Sequence, residues 1–279
     1  MVSATVILLS LCVGSFIGML CYRLPNILQK YWAKDCKEYL AEYEISEINK
    51  VKNLGLALPS SHCPNCNTPL RIIDNIPILS YLLLQGKCHY CKKTIAIDYF
   101  ICEISTVILA IYLFNQYDIS SNFFIYAIFN TLLLALIMID ARHGLLPDIL
   151  TLPLLWIGLL LSALSESNVI GLNLKINMLS AHDAIIYSVI GYMALAIPNA
   201  IFRLIKKQDG VGAGDMKLLA AFGAWFGLQG IMVPLVIGSV LGTFYALIKK
   251  LRGKDASAVS FGPFLGIGIL VYQYLTISN

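Results

Sequence analysis

Two sets of residues in this chain are placed to do chemistry. The first is a pair of aspartates in apolar surroundings. Asp140 closes one apolar segment and is followed by Ala141-Arg142-His143-Gly144-Leu145-Leu146-Pro147-Asp148. Asp215 lies in Gly210-Val211-Gly212-Ala213-Gly214-Asp215-Met216-Lys217, where three of five residues are glycine. An ionisable side chain at mid-membrane costs about 2.5–3.5 kcal/mol on the milder insertion scales, so such residues are usually functional. Two carboxylates in close contact share a proton. One then acts as base on a water and the other donates to a peptide carbonyl, which is hydrolysis without a covalent enzyme intermediate. Gly212 and Gly214 would let a substrate backbone approach. The plainer alternative is a pair of interfacial residues that snorkel or cap helices.

The second set is Cys63-Pro64-Asn65-Cys66 and Cys88-His89-Tyr90-Cys91, with 21 residues between them. A CxxC turn points two thiolates at one ion, and two such turns complete a tetrahedron. The spacer is just longer than the usual range of about 15–20. Zinc held by Cys63, Cys66, Cys88 and Cys91 would be coordinatively closed and therefore structural. Two disulfides or a redox pair are the alternatives. His62 and His89 read as neighbours of the ligands. Cys12, Cys21, Cys36 and Cys102 show no such spacing.

The elements that carry these residues are apolar. The chain has 279 residues, 58% of them hydrophobic and 13% charged, against about 25% charged in soluble domains. Mean hydropathy is +0.76. The expectation is an all-α polytopic membrane protein of about eight helices, near 3–21, 99–115, 122–141, 148–166, 183–203, 213–228, 230–249 and 259–277. The first segment has no basic flank before it and no small-x-small cleavage site, so it reads as a retained span. Leu24-Pro25 is expected to stop it. Residues 26–52 carry mixed charge with Tyr31, Trp32, Tyr39 and Tyr43. They suit either an amphipathic segment at the headgroups or a solvated helix. The pairs Gly14/Gly18, Gly223/Gly227 and Gly238/Gly242 read as helix-packing positions.

Charge assigns the connections to sides. Eighteen of the twenty lysines and arginines fall on alternate connections, ten of them between residues 22 and 98. Lys175 stands on an opposite connection and Lys217 within the glycine-rich turn. The positive-inside rule makes the 22–98 loop cytoplasmic and both termini periplasmic. Stable disulfides are rare in the cytoplasm, which favours zinc. The same topology brings Asp140 and Asp215 to one membrane face. Asp140 would end a helix, where the dipole disfavours an anion, and Asp215 would begin one, where it favours an anion. That asymmetry puts the shared proton mainly on Asp140. Asp148 is expected to cap a helix start, and Lys217, two residues from Asp215, to face elsewhere.

With these residues in view, the chain resembles the bacterial prepilin leader peptidase/N-methyltransferases, membrane aspartyl proteases of the GxGD type. The resemblance rests on Gly212-Ala213-Gly214-Asp215-Met216-Lys217 and on Asp140 followed by Pro147-Asp148. It rests also on the double CxxC loop with Asn75-Ile76-Pro77-Ile78-Leu79-Ser80-Tyr81-Leu82 and Gly86-Lys87-Cys88, and on Gly14-Ser15-Phe16 with Arg23-Leu24-Pro25. It covers nearly the whole chain. It implies removal of the leader from type IV prepilins and type II secretion pseudopilins at the cytoplasmic face of the inner membrane. Methylation of the new N-terminal amine by S-adenosylmethionine would follow. Asp140 and Asp215 inherit the catalytic roles, the four cysteines the metal roles, and Glu103 a place in the methylase half.

The implied domains are a first membrane helix (1–21), a zinc loop (22–98) within a methylase-associated region of about 10–115, a peptidase domain (122–250), and a last loop and helix (251–279). The expected partners are prepilins, pseudopilins and membrane lipid, with no nucleic acid. Three positions depart from the pattern. Gly18 stands where asparagine is usual, His62 where arginine is, and Asp98-Tyr99-Phe100 replaces Arg-Tyr-Pro. All three bear on the methylase half. A peptidase without methylase activity is one alternative. A transporter with paired aspartates is another, but its carboxylates should lie deeper and along a path.

Overall fold

A computed structural model describes residues 4–41, 61–63, 65–71, 73–167, 179–253 and 259–277, with side chains left aside for 34–41. Among the described residues eight α-helices run in order: α1 (Ala4–Ala41), α2 (Leu79–Leu83), α3 (Ile97–Tyr117), α4 (Ser121–His143), α5 (Asp148–Ser167), α6 (Ala181–Lys206), α7 (Ala213–Leu251) and α8 (Gly262–Ile277). A 3-10 turn at Ile73–Asn75 precedes α2. The described residues contain no named strand, only two isolated antiparallel bridges. Six helices, α1 and α3 to α7, are long and apolar enough to cross a membrane. The chain is thus an all-α integral membrane protein. Residues 42–60 lie outside the described residues. They include part of the expected interfacial segment, with Tyr43, Lys50 and Lys52. Lys175 and Lys254 lie outside them as well.

The first helix differs from expectation. Pro25 does not end it, and α1 continues to Ala41. Proline removes one intrahelical hydrogen bond, but neighbouring groups can re-satisfy the backbone in membrane helices. Beside the break, the Asn26 amide donates to the Tyr22 carbonyl at 2.5 Å. Tyr31 and Trp32 stand exposed on the extension.

The chain divides into two compact units, Met1–Ile111 and Tyr112–Asn279, with the boundary inside α3. In the first, α1 lies against α3 through its glycines. A Cβ at Gly14 would fall 2.7 Å from Glu103 Cα, and one at Gly18 would fall 2.8 Å from the Tyr99 ring. The glycine at 18, unusual for the pattern it otherwise matches, is what admits that ring.

In the second unit, α7 is the centre. Its 39 residues would span about 58 Å if straight, nearly twice the hydrocarbon thickness. They are not straight. Gly227 has φ 66° and ψ −152°, a region essentially confined to glycine. The Ile231 side chain reaches within 3.2 Å of the Cβ position of Gly223. A straight helix would separate residues eight apart by about 12 Å. The chain therefore doubles back at Gly227, where the sixth and seventh apolar segments were expected to part.

Without water to expel, membrane helices associate by close packing, which small residues permit. On α6, a Cβ at Gly191 would fall 2.5 Å from the Leu219 carbonyl oxygen, and Gly223 lies directly on the Tyr187 carbonyl. The second arm of α7 meets α8 at Gly238 and Gly268. Gly158 makes room on α5 for Trp225, whose indole N–H donates to the Leu154 carbonyl at 2.7 Å. Leu218, Leu219, Ala221, Phe222 and Ala224 are wholly buried. The first arm of α7 is thus the fixed element from which Asp215 projects.

Candidate active site and metal centre

Asp140 occupies the last turn of α4. That helix ends at Gly144, in the left-handed conformation (φ 62°, ψ 35°), whose N–H donates to the Asp140 carbonyl at 2.9 Å. Glycine suits such a helix end because it carries no Cβ to clash. Asp215 is the third residue of α7. Gly212 caps the helix with extended backbone (φ −67°, ψ 143°), and its carbonyl accepts the Asp215 N–H at 3.2 Å. So one carboxylate leaves a helix end and the other enters at a helix start, as the sequence suggested.

Both are buried, Asp140 to 5% exposure and Asp215 to 8%. They are near enough to interact electrostatically. Each has one buried oxygen, Asp140 Oδ2 and Asp215 Oδ1, with no hydrogen-bond partner. Buried polar groups are normally paired, and exceptions mark sites where a ligand or reactant completes the pairing.

The surroundings of the pair are built from glycines and one leucine. A Cβ at Gly214 would fall 2.6 Å from Leu146 Cβ. One at Gly262 would fall 2.6 Å from Asp140 Oδ2 and 3.1 Å from Leu146 Cδ1, and one at Gly212 would fall 3.3 Å from Asp215 Oδ2. Gly262 begins α8, and its N–H faces the Asp140 carboxylate. Asp140 therefore meets a helix start as well as a helix end. The dipole asymmetry that assigned the shared proton to Asp140 no longer separates the two residues.

Gly262, Leu146 and the α8 start were not foreseen. The only trace in sequence is Phe261-Gly262-Pro263, a turn with proline at the entrance of a helix. A second unforeseen feature is the ion pair of Lys217 Nζ with both Asp148 oxygens, at 2.6 and 2.8 Å. Asp148 is the first residue of α5, and its side chain serves this pair. Lys217 does face away from Asp215, toward α5.

The four cysteines form a second centre, in the first unit. The two turns repeat the same backbone bonds. Cys63 N–H donates to Thr68 and Asn67 N–H to Cys63; Cys88 N–H donates to Lys93 and Lys92 N–H to Cys88. The bridges His62–Pro69 and Lys87–Thr94 close both turns alike, and Asn67 and Lys92 share positive φ. The sulfurs of Cys63, Cys66, Cys88 and Cys91 all lie within 4.8 Å of one another. Cys63 Sγ and Cys91 Sγ are 3.8 Å apart. A tetrahedral site with Zn–S near 2.3 Å has sulfur edges of about 3.8 Å, so the set fits a zinc ion and is too wide for disulfides.

Thiol acidity is uneven across the set. Hydrogen bonds from the Thr68 side chain and backbone bring Cys66 down to about 6, and the Cys91 backbone lowers Cys88. At Cys91 the Lys93 N–H favours the thiolate, but burial and the three neighbouring sulfurs push it up to about 11. Four thiolates at this spacing need a cation. Arg71 pairs with Asp74 at 2.9 and 3.1 Å and lies over the Tyr90 ring, tying one knuckle to the other.

Glu103 is buried in the same unit, at 8% exposure. It accepts the Ile78 N–H at 2.6 Å and also bonds the Ser15 side chain. Ile78 has φ 60° and ψ −51°, and Leu79 N–H donates back to Pro77 at 2.6 Å. This is a strained γ-turn, rare for a β-branched residue. Phe100, where the resemblance leads one to expect proline, stacks on Tyr81 at 4.9 Å.

Comparison with known proteins covers both units. Residues 8–117 match the bacterial peptidase A24 N-terminal domain, and residues 127–247 match the type IV leader peptidase family. The prepilin leader peptidase/N-methyltransferase of Pseudomonas aeruginosa is 36% identical over 94% of this chain and 86% of its own. Those of Legionella pneumophila and Dichelobacter nodosus are each 37% identical over 96% of this chain, and over 89% and 90% of theirs. No solved structure matches. With both units matched, and with such identity running through nearly the whole of each relative, the chain belongs to the type IV leader peptidase family.

Proposed function

We propose that this chain is a membrane endopeptidase that removes the leader of prepilins and pseudopilins at the cytoplasmic face of the inner membrane, and then methylates the exposed N-terminal amine. The observation that carries the peptidase reading is the buried aspartate pair, each member with an orphaned oxygen, packed closely against Gly212, Gly262 and Leu146. Charge on the connections supports the cytoplasmic face.

In the proposed mechanism one ionised carboxylate of the pair takes a proton from a water as its oxygen attacks the scissile carbonyl. The other, protonated, donates to the carbonyl oxygen. Collapse of the tetrahedral intermediate breaks the C–N bond, and the proton taken from water passes to the leaving amine. Asp140 and Asp215 fill these two roles jointly. The extended substrate backbone approaches at Gly212, since Leu146 packs against the bare side of Gly214.

Cys63, Cys66, Cys88 and Cys91 would hold a zinc ion between them, and it would support the fold of the loop rather than take part in the reaction. S-adenosylmethionine is the proposed methyl donor, on the strength of the relatives' names and the resemblance. Glu103 is committed to Ile78 and Ser15, so its part is to hold the strained turn of residues 77–79 rather than to touch the donor.

The test uses the purified full chain with a leader-bearing pilin, read by mass spectrometry, and separately with pre-cleaved pilin and S-adenosylmethionine. Leader loss in the first and gain of one methyl in the second are expected. Leader loss with an unmethylated product in both would leave a peptidase alone.

A further inference from the structure

The segment joining α6 to α7 carries Gly210, Gly212 and Gly214, and glycine has the most backbone freedom to lose. A side chain of α6 takes that freedom away. Asn199 follows Pro198 in α6 and is buried to 8% exposure. Its Oδ1 accepts the N–H groups of Gly210 at 2.7 Å and Val211 at 3.0 Å. Its Nδ2 donates to Asp209 Oδ1 at 3.1 Å. One turn on, Arg203 lies 3.9 Å from the same Asp209 oxygen. Phe202 packs where a Cβ at Gly210 would fall, 2.9 Å from its ring. Two consecutive N–H groups on one oxygen fix the backbone at 210–211. Gly212 then caps α7, and Asp215 stands three residues further on.

We infer that Asn199 is a positioning residue of the aspartate site: it clamps Asp209–Val211 so that the first turn of α7 presents Asp215 to Asp140. This rests on Asp140 and Asp215 being the catalytic pair. The amide is the group the position needs. It supplies an acceptor for two backbone donors and a donor for Asp209 at once, which a carboxylate or an apolar side chain cannot.

The experiment measures kcat and KM for leader cleavage by the full chain in detergent. The variants are Asn199→Ala, Asn199→Asp and the exchange N199D/D209N, beside Asp140→Asn and Asp215→Asn. Asn199→Ala and Asn199→Asp should each lower kcat on the order of 10- to 100-fold, as small misplacements of a catalytic group do. KM should change less than about threefold, because ground-state binding is untouched. In Asn199→Asp the new carboxylate faces that of Asp209. In the exchange it keeps both backbone donors and accepts a hydrogen bond from the amide placed at 209. The exchange should therefore return kcat to within about threefold of the parent, a rescue that mere loss of fold would not allow.

Unchanged kcat in Asn199→Ala, with cleavage abolished in the two aspartate variants, overturns the inference alone. Full cleavage by either aspartate variant overturns the catalytic reading and the inference with it. Should Asn199→Ala fail to insert, the exchange decides: rescue relative to Asn199→Asp supports the clamp, and equal impairment refutes it.

Discussion

At the scale of single residues, the site is defined as much by absent side chains as by present ones. Gly262 is the glycine that presses on the Asp140 carboxylate itself. A Cβ there would fall 2.6 Å from Asp140 Oδ2, the oxygen that lacks a partner. No real Cβ contact is that short, so the Asp140 carboxylate would have to shift. Gly262→Ala should lower cleavage on the order of 100-fold. Thermal unfolding of the detergent-solubilised protein should move little, since the change lies at a helix start. Parent-like cleavage would mean that Asp140 is not held as described.

The cysteines make a separate residue-scale prediction. Metal analysis should find one zinc per chain. Cys88→Ser should lose it and lower the unfolding temperature, because metal binding and folding of such knuckles are coupled. A metal-free chain with parental stability would refute the site. Both sets of residues were readable in the sequence, since a carboxylate in an apolar segment and a doubled CxxC are local signals. Gly262, Leu146 and Asn199 were not. Gly262 meets Asp140 and Leu146 meets Gly214 only through the fold, far apart in sequence, and Asn199 meets Gly210 across a helix end, none of which spacing encodes.

At the scale of elements, Gly227 turns one long helix into two arms. Its φ and ψ admit essentially only glycine. Gly227→Ala should destabilise the second unit by about 1–3 kcal/mol, with loss of protein from the membrane fraction or a lower unfolding temperature as the readout. Unaltered stability would show that the bend is held by the surrounding helices. The apolar segments at α3 to α6 were legible to within a few residues, because hydropathy reports them directly. The extension of α1 through Pro25 was not. Proline breaks helices in water, but membrane helices tolerate it because neighbouring groups can re-satisfy the backbone it frees. The dipole argument for the proton failed for a related reason. It considered only the helix that carries Asp140, whereas α8 brings its own start to the same carboxylate.

At the scale of the whole molecule, the chain is two units with separate chemistry. The first holds the cysteine centre and the strained turn on Glu103; the second holds the aspartates. The family matches divide in the same region, at residues 117 and 127. Composition and alternating charge were enough to read a polytopic helical protein, since both are sums over the whole chain. The division into two units is a matter of contacts and is not such a sum.

The central claim is that Asp140 and Asp215 act together on one peptide bond. The most direct measurement is single-turnover cleavage of a leader-bearing pilin by Asp140→Asn and Asp215→Asn, each verified as inserted and folded. Both should lose cleavage by at least about 10²- to 10⁴-fold, the usual worth of a general acid or base, and to the same level as the double variant. Retained turnover in either single variant, or a further loss of similar size in the double, would contradict it.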